Sequence, residues 1–147
     1  MHNGIWAFFF CNSVDLAESY AQEQKPDYWR VMKKINSSSI GIAQGNDVIF
    51  EDFEDGGEMW TGTGHRERIK EIEFREPFKD APAVQCSLTL WDVDAATNVR
   101  AEVDAENVTE TGFDLVFRTW GDTKVARVRI NWMAIGPVKG DDDWELY

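Results

Sequence analysis

A chain of 147 residues, 43% hydrophobic and with seven tryptophans, is long enough for one domain with a buried core and too aromatic for a disordered segment. Its formal net charge of -12 repels phosphate backbones and anionic lipid headgroups, which makes nucleic acid and membrane surfaces poor partners. The same charge also serves simply to keep an aromatic-rich protein in solution.

Along the chain, residues 1–39 read as a helical appendage. The apolar run Ile5 to Cys11 is too short to span a bilayer, and no Lys or Arg precedes it to make a secretory leader. Ser13 is placed to cap a short helix through Glu18 to Tyr20, with Asp15 near its N-terminal dipole. A second helix is expected from about Pro26 and Asp27, because Tyr28, Val31, Met32 and Ile35 form one apolar stripe at three- and four-residue spacing. Such a stripe is packing surface. Asn36 to Ser39 is a polar linker, after which the helical period gives way to alternation.

Residues 40–136 read as a single β domain. Val84, Cys86, Leu88 and Leu90 alternate with polar neighbours, as a strand with one face on a core requires. The same alternation recurs in Val99, Ala101, Val103 and Ala105, in Phe113, Leu115 and Phe117, and in Ala126, Val128, Ile130 and Trp132. The connections at Glu76-Pro77, Asp92 to Asn98, Thr109 to Gly112 and Gly121-Asp122 are too short for helical crossovers, so the expected architecture is an all-β antiparallel sandwich. Residues 137–147 form an acidic tail with Asp141-Asp142-Asp143 and no alternation.

Several segments together carry a resemblance: Ile72-Glu73-Phe74 with Pro77-Phe78, Ala81-Pro82-Ala83-Val84, Leu88-Thr89-Leu90-Trp91-Asp92-Val93, Asn98-Val99-Arg100, Thr119-Trp120-Gly121-Asp122 and Asn131-Trp132-Met133-Ala134-Ile135. In order and spacing over Ile40 to Gly136, the chain resembles the H-type lectin family of snail agglutinins and discoidin C-terminal domains. The resemblance implies a six-stranded antiparallel sandwich that assembles as a homotrimer. It also implies a binding module for galactose or N-acetylgalactosamine on glycans, non-catalytic and without a cofactor, displayed outside the cell or on a particle surface.

Two sugar-contacting positions of the family match here, Arg100 and Trp120. Their chemistry suits a sugar, since a planar guanidinium gives paired hydrogen bonds to vicinal hydroxyls and an indole offers an apolar face to sugar C–H groups. Without the resemblance, Arg100 reads as a solvated strand charge and Trp120 as a core aromatic. If Val99 and Ala101 face the core, Arg100 faces away from it. The chain also departs from the family pattern. The loop carboxylate of the snail proteins falls in the stretch Thr61, Gly62, Thr63 and Gly64, of which Thr63 is a candidate site residue, a histidine falls at Gly121 and an aromatic at Ala126. Asp122 and Glu67 are the carboxylates left to accept sugar hydroxyls, and sequence does not place either one.

Other patterns fail on spacing. Asp92-x-Asp94 begins like a calcium loop but has Thr97 at the glycine position and Val103 at the glutamate position. Gly62-x-Gly64 lacks the third glycine of a dinucleotide fingerprint, Asp141 to Asp143 reads as a solvated tail, and His2 and His65 have no nucleophile pattern. Cys11 and Cys86 lack the pair spacing of a zinc or redox site and read as buried thiols, with one disulfide as the alternative in an exported protein. Two rival readings remain. One is a spike or fibre component docked to a larger particle through residues 1–39. The other is a trimerisation module whose sugar site has decayed.

Overall fold

The computed structural model describes residues 32–140. The first helix expected at Ser13 to Tyr20, the start of the second at Pro26, Cys11, and the acidic tail from Asp141 with Trp144 and Tyr147 lie outside the described residues. Where the second helix enters them, Met32 to Ile35 are not helical, and Met32 is 80% exposed. A short amphipathic stripe holds helix only when its apolar face is covered.

Among the described residues, six strands and two short helices follow in the order β1 (Ile40–Glu51), α1 (Asp52–Asp55), α2 (Glu58–Thr61), β2 (Arg66–Glu73), β3 (Ala83–Val93), β4 (Ala101–Glu106), β5 (Gly112–Thr119) and β6 (Val125–Pro137). They form two three-stranded antiparallel sheets, ordered β1-β6-β3 and β2-β5-β4. The protein is an all-β sandwich. The β4–β5 connection is a hairpin within one sheet, whereas β3–β4 and β5–β6 arch from one sheet to the other. The final strand extends past Gly136 to Pro137, and Val138 N–H donates to the Ser39 carbonyl at 3.1 Å.

The alternating residues supply the core. Phe113, Leu115 and Phe117 of β5 face Val128, Ile130 and Trp132 of β6, all at most 9% exposed, and β3 adds the half-buried Val84, Cys86 and Leu88. Each fully buried aliphatic or Phe side chain among them contributes about 1.5–3 kcal/mol through the apolar surface it removes from water. Phe74 meets Phe78 edge-on at 5.0 Å and Trp132 at 6.0 Å, closing one end of the sandwich. The Trp132 indole N–H donates to Asp47 Oδ2 at 2.9 Å. Burial pushes the Asp47 carboxyl up, but hydrogen bonds from Lys70 and Trp132 outweigh it and hold the group below its ordinary value.

No periodic pattern announces the plug at the other end. There α1 and α2 fold over the sandwich and insert the fully buried Met59 into the core. Asp52 holds the plug shut: its carboxylate accepts from Met59 N–H at 2.9 Å and from Arg68 Nη2 at 3.2 Å. Val99 corrects a second expectation. It precedes β4, is 47% exposed and takes no part in the core.

Candidate functional site

The plugged end of the sandwich brings three connections together. Arg100 immediately precedes β4, Trp120 immediately follows β5, and Gly121 and Asp122 occupy the arch to β6. Two buried threonines tie these segments: Thr119 Oγ1 donates to the Arg100 carbonyl at 2.7 Å, and Thr123 Oγ1 to the Asn98 carbonyl at 2.6 Å.

Across this seam Arg100 Nη1 donates to Asp122 Oδ1 at 2.6 Å, while Asn98 Nδ2 donates to Asp122 Oδ2 at 3.0 Å. Arg100 and then the backbone and side-chain N–H groups of Asn98 hold the Asp122 carboxyl below its ordinary value, so it is an acceptor at neutral pH. The pair is open to solvent, with side chains 36% and 52% exposed, and Trp120 is 41% exposed. Trp120 is therefore not the core aromatic that composition alone suggests.

Gly121 explains how the pair fits. Its φ of 69° is left-handed, and a Cβ there would stand 3.2 Å from Arg100 Nη1. A side chain at this position would crowd the guanidinium. Gly64 N–H donates to the Gly121 carbonyl at 2.8 Å, which brings exposed Thr63 beside the same arch. The site candidates thus meet at one surface, directly for Arg100, Gly121 and Asp122, and through chain neighbours for Trp120 and Thr63. Glu67 is elsewhere. It pairs at 2.6 Å with Arg118, whose other partner is Glu106 at 2.9 Å. Both carboxylates raise the Arg118 pKa, Glu106 more than Glu67, against the opposing effect of burial. Ala126 is 5% exposed.

Arg66 is a contributor that sequence reasoning missed. It is 2% exposed and donates to five carbonyls, those of Glu58, Met59, Gly62, Gly64 and Thr123, at 2.6 to 3.4 Å. One guanidinium thus fixes both the loop carrying Thr63 and the arch carrying Asp122. The sequence Arg66-Glu67-Arg68 reads as solvated charge, and the only local signal was the glycine-rich loop before it.

Chemically, the surface offers a planar donor, an ionised acceptor and an aromatic ring. Among the described residues, no group of three or more His, Cys, Asp or Glu side chains is arranged to hold a metal ion, and no helix is long and apolar enough to cross a membrane.

The H-type lectin domain model matches residues 69–135. The chain is 52% identical over 109 residues to ORF 7 of the ATP synthase subunits region of Fuscovulum blasticum, covering 74% of this chain and 95% of that one. It is 37% identical over 75 residues to a discoidin-1 polypeptide of Dictyostelium discoideum, covering 50% of this chain and 30% of that one. Discoidin II of the same organism superposes with a TM-score of 0.59 at 27% identity, over 67% of this chain and 37% of discoidin II. The chain therefore spans only about a third of the discoidins but nearly all of the Fuscovulum protein. By matched residues, and with discoidin II as a neighbour in fold, residues 69–135 of the chain are an H-type lectin domain.

Proposed function

We propose that this protein is a non-catalytic lectin that binds galactose or N-acetylgalactosamine residues of glycans at Arg100, Asp122 and Trp120. The observation that carries the reading is the Arg100–Asp122 pair, 2.6 Å apart and open to solvent, beside the exposed Trp120. Adjacent sugar hydroxyls each offer a donor and an acceptor. Arg100 gives hydrogen bonds to their oxygens, Asp122 accepts hydrogen bonds from their O–H groups, and the indole covers the apolar C–H patch. Asp122 fills the acceptor role for which the snail agglutinins use a carboxylate in the loop that is Thr61 to Gly64 here.

So open a monosaccharide site binds weakly on its own, and several sites on one assembly strengthen attachment to a glycan-coated surface by effective concentration. We infer a homotrimer for this reason. Its support is the exposure of Ile40 and Ile42 on β1 and of Ile69 on β2, both edge strands. The test is binding to immobilised galactose- and N-acetylgalactosamine-terminated glycans with the free sugars as competitors, run beside light scattering. Competed retention by a species of three chains is expected. A trimer that retains no glycan would leave only a trimerisation module, and a stable monomer would remove the multivalent reading.

A further inference from the structure

We infer that the hollow where α1 meets the ends of β3 and β6 is a second subsite, which takes a neutral pyranose further along a glycan whose terminal sugar sits at Arg100 and Asp122. The inference rests on the lectin reading above. The hollow has a volume of about 260 Å³ and is lined by Glu51, Phe53, Glu54, Asp92, Ala126 and Arg127. Glu51, Phe53 and Glu54 lie outside the stretch matched by the family model, so family membership does not assign this surface.

The hollow repeats the chemistry of the first site with different residues. Phe53 is 59% exposed, although it is the only apolar residue of its four-residue helix. Trp60 packs against it in a T-shaped contact at 5.0 Å and 75°, which holds the ring while more than half of the residue stays exposed. Such a ring adds little to the core and offers a platform for sugar C–H groups. Beside it Arg127 and Asp92 are register partners on neighbouring strands, 3.6 Å apart, with side chains 52% and 55% exposed. A planar donor and an acceptor thus again flank an exposed aromatic.

Charge narrows the ligand. Glu51, Glu54 and Asp92 outnumber Arg127, so the lining accepts hydrogen bonds from hydroxyls and repels sulfate or carboxylate substituents. Reach connects the two sites. Arg127 follows Asp122 by five residues, a separation of at most about 18 Å between their Cα atoms. Asp94 N–H, just beyond β3, donates to the Lys124 carbonyl of the arch at 3.0 Å, which ties the end of β3 to the connection that carries Asp122.

The experiment is calorimetry on the full chain with galactose, with a neutral galactose-terminated trisaccharide, and with that trisaccharide sulfated on an internal residue. Wild type should bind the neutral trisaccharide about tenfold more tightly than galactose, and the sulfated one no better than galactose. Phe53→Ala and Arg127→Gln should each remove most of that gain while leaving galactose affinity within about twofold. Arg127→Gln carries the test should Phe53→Ala disturb the plug. A wild type that does not distinguish trisaccharide from galactose, or an Arg127→Gln variant with the full gain, overturns the subsite and leaves the Arg100 site standing. Absence of wild-type binding to all three sugars overturns both.

Discussion

Two arginines at the same end of the sandwich show how differently one side chain is used. Arg66 is 2% exposed and donates to five backbone carbonyls, with no carboxylate partner among the described residues. Arg100 is 36% exposed at its side chain and donates to one carboxylate. A buried guanidinium survives only when its N–H groups are satisfied, so Arg66 defines the course of the backbone around it. An exposed one keeps N–H groups for a ligand. The first arginine builds the surface on which the second is exposed.

The largest effect that sharpens this contrast is expected at Arg66. Arg66→Met fills similar space but strips the donors from carbonyls of both site loops. We predict a loss of about 3 kcal/mol of stability, a fall in Tm of roughly 15 °C. Thermal unfolding followed by circular dichroism measures it. An unchanged Tm would erase the distinction between the two arginines.

Arg100 should give the opposite pattern, a change in binding with little change in folding. Arg100→Ala is expected to weaken glycan affinity by at least about tenfold, because a charged donor to the sugar is lost. Its Tm should stay within about 3 °C of wild type. Arg100→Lys should bind nearly as poorly, since a point charge does not reproduce the planar fork. Calorimetry paired with thermal unfolding reads both quantities, and a destabilised Arg100→Ala with intact affinity would make Arg100 a second structural arginine.

The smallest effect concerns pH. Asp122 is held below its ordinary 3.8, by Arg100 first and by Asn98 next. A depressed carboxyl contributes fully above its ordinary value and loses its contribution only as pH falls through the lower folded value. Glycan affinity should therefore be flat from about pH 8 to 5 and decline only below about pH 4. Asp122→Asn should bind more weakly throughout and lack that acid decline. A midpoint near 6 would point to a different titrating group.

Cys86 shows how burial sets reactivity away from the site. Burial first and the charge of Asp104 second push its thiol up to about 11, which leaves it protonated and unreactive at neutral pH. Its strand pattern points to a core-facing thiol, and the side chain packs half-buried against the core.

The period of three of the six strands was readable without coordinates. Period-two alternation in β3, β5 and β6 shows because every second side chain must leave water, and short turn-rich connections limit how such strands can be joined. Arg100 and Trp120 were singled out through family spacing, and the fold exposes both at one end of the sandwich. Which charges meet was settled by the fold. Asp122 finds Arg100 across 22 positions in the chain, and Thr123 finds Arg66 across 57. Glu67 was an equal candidate for the acceptor on paper, yet its strand register delivers it to Arg118 instead. The plug built from α1 and α2 escaped notice because four-residue helices carry no periodicity, and they persist through Asp52, Met59 and the arginines of β2. Local pattern reports which face of an element is buried, whereas partners distant in sequence are chosen by how the sheets stack and which loops the arches bring together.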